Sequence, residues 1–332
     1  MKRFFLIASI FVVAILFLGG LRLLRQRRDT QKPPLPTAGA YSAGNYNESL
    51  VIDGRARTYL LHIPTGYDSQ KPYPLVIALH GGGGSGERIM EQTKLNTISD
   101  REGFIVAYPD AVSGGRRAER QWNDGRGTMA SAENGIDDIA FIRTLVNTVA
   151  HAYLIDAKRV FAAGISNGGI MTYRLGCEAS DIFAAIAPVA ANLAEPLAAC
   201  SPQHPISVMQ VNGTKDPFIS VDGGECCKVV PWAPGGRLLS IRDSLSRFLR
   251  KNACQETPMS ETLPASINDG TAIEKQVFPG CGSGADVVLY LVHGGGHAWP
   301  PNEPEAPRLA GISSKNLDTS EAVWEFFKTH SR

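Results

Sequence analysis

The stretch Gly164-Ile165-Ser166-Asn167-Gly168 stands between two apolar segments. Arg159-Val160-Phe161-Ala162-Ala163 precedes it and reads as a buried strand, and Gly169-Ile170-Met171-Thr172-Tyr173-Arg174-Leu175 follows it and opens a helix. Strand, sharp turn and helix around Gly-x-Ser-x-Gly make the nucleophile elbow of α/β-hydrolases. A serine on so tight a turn needs strained backbone angles. A side chain at either flanking glycine would collide with the neighbouring strand or helix. The turn would lift the Ser166 hydroxyl above the sheet edge and aim the first helical N–H groups at whatever it attacks. The pattern is short and recurs by chance, so its weight depends on what the rest of the chain supplies.

Outward from the elbow, Tyr73 to Leu79 and Gly103 to Tyr108 are continuous apolar runs, as in strands of a sheet covered on both faces. Ile182 to Val189, Ile206 to Val211 and Val287 to Val292 supply later strands. Ser49 to Pro64 reads as two strands joined at Asp53-Gly54, a strong hairpin signal. From Asp137 to Ala152 the apolar residues Ile139, Ile142, Leu145, Val146 and Val149 recur at helical spacing. Strands alternating with helices predict an α/β fold with a mostly parallel central sheet and helices on both faces. The segment from Glu256 to Gln276 is irregular and polar and reads as a surface excursion.

A chain of 332 residues with 43% hydrophobic and 20% charged residues can bury a substantial core. The net charge is +1 and no basic stripe lies outside the N-terminus, so nucleic acid is not an expected partner. Phe4 to Leu21 is uncharged and mostly apolar. As a helix it would rise about 27 Å, just short of the roughly 30 Å hydrocarbon core. Its near flank, Leu21-Arg22-Leu23-Leu24-Arg25, is a poor cleavage site, which favours an uncleaved anchor over a removed signal peptide. Residues 1–28 are thus read as signal anchor or signal peptide, 29–47 as a flexible linker rich in Pro, Gly, Ser and Ala, and 48–332 as the catalytic domain. Six cysteines lie in the second half, none in the spaced pairs of a zinc site. With an export segment upstream they read as disulfides in an oxidising, extracytoplasmic compartment. The arginines after Leu21 argue the other way by the charge rule for membrane segments.

Three further stretches carry chemistry. His80-Gly81-Gly82-Gly83-Gly84-Ser85-Gly86 follows the strand ending at Leu79. Such a loop can point backbone N–H groups into a site and supply half of an oxyanion hole, with Gly82 the expected donor and Asn167 supplying the other half. A phosphate loop would need a Gly-Lys-Ser/Thr ending, which is missing. Asn212-Gly213-Thr214-Lys215-Asp216-Pro217 follows a late strand, where this fold keeps the acid of its triad; Asp216 is nearer the strand end than its competitor Asp222. His293-Gly294-Gly295-Gly296-His297-Ala298-Trp299 follows the last strand. His293 closes that strand, whereas His297 lies on the glycine loop beyond it and is the expected base. The order Ser166, Asp216, His297 is that of α/β-hydrolases. The other histidines are scattered and no metal constellation or cofactor motif is apparent.

Together with Trp122-Asn-Asp-Gly-Arg126 and Asp137-Asp138-Ile-Ala-Phe-Ile142, these motifs resemble the polyhydroxybutyrate depolymerase-like esterases, relatives of the feruloyl and acetyl-xylan esterases of carbohydrate esterase family 1. The resemblance covers about residues 48 to 330 and implies a lidless, secreted serine esterase. It departs from the family in Asn212, which replaces the first His of His-Gly-Thr-x-Asp-Pro and leaves the acid in place. It also implies the pairs Cys254–Cys281 and Cys177–Cys200; the Cys226-Cys227 doublet stays unassigned. Trp122 and Asp124, in a motif outside the triad, are expected to contact an aromatic or polymeric acyl ester, as is Trp299. A core tryptophan beside a polar turn fits Trp122 equally well. The expected reaction is attack of Ser166 on an ester carbonyl, with an acyl-enzyme hydrolysed by water. A peptidase or acyltransferase on the same triad, or a tethered binding module without activity, are the competing readings.

Overall fold

The computed structural model describes residues 42–332 apart from 115–118, 230–234, 283 and 305–306. The apolar segment, the arginine cluster and most of the expected linker lie outside the described residues. Among those described, no helix is long and apolar enough to cross a membrane.

Among the described residues the central sheet has ten strands: β1 (Gly44–Ile52), β2 (Arg55–Ile63), β3 (Tyr73–Leu79), β4 (Ile105–Pro109), β5 (Ile155–Ile165), β6 (Ala185–Val189), β7 (Ser207–Gly213), β8 (Met259–Thr262), β9 (Ala272–Phe278) and β10 (Val287–His293). Their spatial order is β1-β2-β4-β3-β5-β6-β7-β10-β9-β8. The six strands from β4 to β10 run parallel, and antiparallel pairings add β2 and β1 at one edge and β9 and β8 at the other. The β1–β2 turn has Asp53 at φ 50° and Gly54 at φ 74°, the left-handed pair that a two-residue hairpin needs.

β1 begins at Gly44, within the segment read as linker. Its residues 44–47 pair with Leu60 to Ile63, and the Asn45 side chain meets His62 Nδ1 at 2.7 Å. Ladder pairing there outweighs the weak β-propensity of Gly and Asn. The Glu256–Gln276 excursion is also corrected. It contains β8, exposed along its whole length, and most of β9. An edge strand with polar residues on both faces has no apolar alternation from which to be read.

Residues alternate between the two faces of the sheet. Leu75, Ile77 and Leu79 of β3, with Val160 and Ala162 of β5, pack into one core. Helices α3 (Asp138–Ala152), α4 (Asn167–Glu178) and α5 (Ile241–Lys251) contribute Leu145, Met171 and Phe248 to that layer. Val76, Ala78, Phe161 and Ala163 face a second core, which α1 (Gly86–Thr93), α2 (Leu95–Glu102) and α6 (Thr319–Phe327) cover. Helices α3, α5 and α6 start on side-chain caps: Asp137 accepts from the Ala140 N–H, Ser240 from Asp243 and Asp318 from Glu321. Burial on both faces explains why the parallel strands read as unbroken apolar runs.

Three disulfides are present: Cys177–Cys200, Cys254–Cys281 and Cys226–Cys227. The first ties the end of α4 to the segment before β7, and the second ties the end of α5 to the turn before β10. The third joins neighbours in the chain, a pairing for which the sequence offered no partner logic.

Candidate active site

The carboxyl ends of the parallel strands bring the loops together. Leu79 lies beside Gly164 across β3 and β5, and Ile165 beside Val189 across β5 and β6. Val189 lies beside Val211 across β6 and β7, and β7 pairs with β10 up to Gly213 and Val292. The loops after β3, β5, β7 and β10 therefore all open on one edge of the sheet, the usual ligand edge of an open α/β sheet.

Ser166 sits at φ 56°, ψ −124° between β5 and α4, a strained conformation for a residue with a side chain. Both flanking glycines are sterically required. A Cβ on Gly168 would fall on the carbonyl oxygens of Leu79 and His80, and one on Gly164 would meet the Gly168 backbone. The helix that follows leaves its first N–H groups without intrahelical partners, so those of Asn167 and Gly168 stand at the start of α4 beside Ser166.

Asp216 accepts three hydrogen bonds. Its Oδ1 takes the backbone N–H groups of Phe218 at 2.8 Å and Ile219 at 2.9 Å, and its Oδ2 lies 2.7 Å from His297 Nδ1. The Asp216 side chain is wholly buried and His297 is 13% exposed. A carboxylate only accepts, so the Nδ1–H of His297 donates to Asp216. The acid and histidine loops are stitched together by backbone bonds, Thr214 N–H to Val292 O and Lys215 N–H to Gly295 O. Phe218 packs edge-on against the His297 ring at 5.0 Å between centroids.

Ser166 and His297 line one cleft of about 260 Å³, together with Gly81, Gly82, Ile89, Phe218 and Ala310. Gly82 is thus in the cleft with Ser166, and a Cβ built on it would stand 3.8 Å from the Asn167 Cβ. Asp222, the competing acid, lies in a different groove, against Val221 and Arg242. His293 points to Glu274 on β9, with Nε2 2.8 Å from a carboxylate oxygen.

The expected substrate contacts of Trp122, Asp124 and Trp299 are corrected by burial: all three are 0% exposed. The indole N–H of Trp122 donates to the His80 carbonyl at 2.9 Å, and that of Trp299 to Ser320 Oγ at 2.8 Å. With the polar tip satisfied inside, the whole ring can go into the core. Asp124 is paired with Arg126 Nη2 at 2.8 Å.

His80 is a residue whose part the sequence reading missed. It is buried at the base of the glycine loop, with Nδ1 2.7 Å from the Gly81 carbonyl and Nε2 accepting the Ala111 N–H at 3.1 Å. Burial pushes its pKa down to about 4, against a smaller upward pull from the Gly81 hydrogen bond. It is a neutral imidazole that fixes the loop. The signal available was a histidine placed where a buried strand enters a glycine run. Arg88, Gln92 and Pro304 also line the cleft and carried no local signal.

The turn bearing Ser166 and the loops bearing Asp216 and His297 thus open on one edge of a mostly parallel sheet, the arrangement of the α/β-hydrolase fold. The chain belongs to the esterase PHB depolymerase family, whose model matches residues 57–257. Over 283 residues it is 32% identical to "Putative esterase NocK" of Nocardia uniformis subsp. tsuyamanensis, covering 83% of this chain and 80% of that protein. Feruloyl esterase C of Emericella nidulans is 27% identical over 303 residues, 88% of this chain and 93% of the relative. The solved acetyl xylan esterase from Aspergillus awamori superposes with a TM-score of 0.56 at 14% identity, over 86% of this chain and 100% of the other, a likeness of fold. The protein is a carboxylic ester hydrolase.

Proposed function

We propose that this esterase works through Ser166 as nucleophile, His297 as general base and Asp216 as the acid that orients the histidine. The observation that carries the reading is His297 Nδ1 at 2.7 Å from a buried Asp216 oxygen, in the cleft that Ser166 also lines. His297 Nε2 takes the hydroxyl proton as Ser166 Oγ attacks the ester carbonyl. The N–H groups of Asn167 and Gly82 receive the oxyanion, and His297 returns the proton to the departing alcohol. Water then attacks the acyl-enzyme, with His297 again as base, and releases the acid.

The cleft beside Ser166 is small and partly apolar, which suits an acyl group of feruloyl, acetyl or hydroxybutyrate size. Arg88 and Gln92 are shared with an adjoining cleft of about 630 Å³ lined also by Glu91, Asn302 and Glu303. That polar neighbour suits a hydroxyl-rich alcohol or the continuing chain of a polymer. Three disulfides support an extracytoplasmic location, reached through the N-terminal segment as a secretion signal or as an uncleaved tether. A fluorophosphonate probe followed by peptide mapping tests the nucleophile: label on Ser166 is expected. Ser166→Ala should keep its circular dichroism and lose several orders of magnitude in kcat on p-nitrophenyl acetate. Turnover near that of the wild type would remove Ser166 from the mechanism.

A further inference from the structure

The Trp122-Asn123-Asp124-Gly125-Arg126 motif buries its tryptophan, and it also carries a fully buried carboxylate and an arginine only 7% exposed. A buried ion pair is weak evidence for stability, because desolvation offsets much of its attraction. What it can give is position. Arg126 holds Asp124 in a fork: Nε lies 3.0 Å and Nη2 2.8 Å from Asp124 Oδ2. The remaining donor, Nη1, reaches the Gly235 carbonyl at 2.8 Å and Cys226 Sγ at 3.2 Å. The guanidinium is thereby anchored to the segment bearing the Cys226–Cys227 disulfide.

The held oxygen has one further partner. Asn167 Nδ2 donates to Asp124 Oδ2 at 2.6 Å and to the Trp122 carbonyl at 3.2 Å, and Asn167 Oδ1 accepts the Trp122 N–H at 2.8 Å. The side chain of the residue after the nucleophile is thus pinned by three hydrogen bonds to this one motif. Its Cβ also faces Gly82 on the other oxyanion loop. Donors of an oxyanion hole act through their fixed placement, and a small displacement is felt in the transition state more than in substrate binding.

We propose that the Asp124–Arg126 pair is a positioning unit for the reaction: it fixes the Asn167 side chain and so the backbone N–H that Asn167 offers to the oxyanion. This rests on the reading of Asn167 as an oxyanion donor. The pair touches no substrate and acts through Asn167 alone.

The test removes both charges together, so that neither is left buried without its partner. Asp124→Asn/Arg126→Gln should fold, lose tenfold or more in kcat on p-nitrophenyl acetate and change KM by less than twofold. Affinity for a trifluoromethyl ketone, which mimics the tetrahedral intermediate, should fall in step with kcat/KM. The loss should be non-additive with Asn167→Ala: the triple variant should be no slower than Asn167→Ala itself. A kcat within threefold of wild type, a loss confined to KM, or additive losses would overturn the proposal. Should the double variant not fold, Arg126→Lys, which keeps the charge and loses the fork, is read by the same kcat, KM and cycle criteria. Fluorophosphonate labelling of wild-type Ser166 is run alongside. Its absence would sink the triad reading, whereas labelling with an unchanged kcat in the variants would sink the positioning role only.

Discussion

His80 makes a sharp prediction about acid stability. Its ring is buried, donates from Nδ1 to the Gly81 carbonyl and accepts the Ala111 N–H on Nε2. A proton added to Nε2 would oppose that N–H and leave a charge in the core, which is why burial holds the folded pKa down to about 4. In the unfolded chain the imidazole should titrate near 6.5. Between those values the unfolded state binds the proton and the folded state does not. The stabilisation is therefore fully present above about pH 6.5 and is lost as the pH falls toward 4. With about 1.4 kcal/mol for each tenfold difference in proton affinity, linkage places roughly 3 kcal/mol in that window.

His80→Asn isolates the contribution, because Asn keeps a donor for the Gly81 carbonyl and cannot titrate. At pH 7 the variant should be less stable by about 1–3 kcal/mol, since the buried Ala111 N–H loses its acceptor. Urea unfolding of both proteins at pH 7, 6, 5 and 4 gives the difference at each pH. The wild-type advantage should shrink as the pH falls and vanish or reverse by pH 4. Subtracting the variant removes other acid-sensitive groups, such as His62, whose pKa is also lowered by burial. A difference that stays constant from pH 7 to 4 would mean that His80 accepts its proton in the folded state, and the account of a locked neutral ring would fail.

The two histidines of the last loop should separate in kinetics. His297→Ala should lose several orders of magnitude in kcat, as expected for a triad member, while His293→Ala should leave kcat within about threefold and lose only its exposed contact with Glu274; the reverse result in a p-nitrophenyl ester assay would move the base to the strand end. Replacing Cys254 and Cys281 by serine should lower stability by roughly 3.5 kcal/mol in the loop-entropy model, and limited proteolysis should then cut first between β8 and β9, with kcat below the new Tm unchanged. An unchanged Tm would show that the bridge does not constrain the unfolded chain.

What was legible in the sequence was what local sterics or chain order dictate. The elbow could be read because Gly164 and Gly168 have no room for a side chain, and the requirement appears as two glycines at fixed spacing. The parallel strands could be read because burial on both faces makes them continuously apolar. The candidate acid and base, Asp216 and His297, could be singled out because each lies just beyond a strand that ends at the same sheet edge. Trp122, Asp124 and Trp299 were misread for the complementary reason. They were read as substrate contacts, with the core an equal reading for Trp122, but each finds a buried partner far along the chain: the His80 carbonyl, the Asn167 amide, the Ser320 hydroxyl. Such pairings belong to the tertiary structure, and no window of sequence around the tryptophans contains them.

The three histidines near the site make the same point through chemistry. His80 and His297 follow a strand and His293 ends one, all at the same edge of the sheet, and each stands beside a run of glycines. Identity and neighbours in sequence hardly distinguish them; their partners do. His80 is enclosed and bonded to backbone on both ring nitrogens, so it can hold a loop but not exchange a proton with a substrate. His293 is 48% exposed with an acid on the next strand, where water screens the pair. His297 alone combines a buried carboxylate on Nδ1 with a place in the cleft that Ser166 lines. A base must be oriented on one nitrogen and accessible on the other, and of the three only His297 meets both conditions.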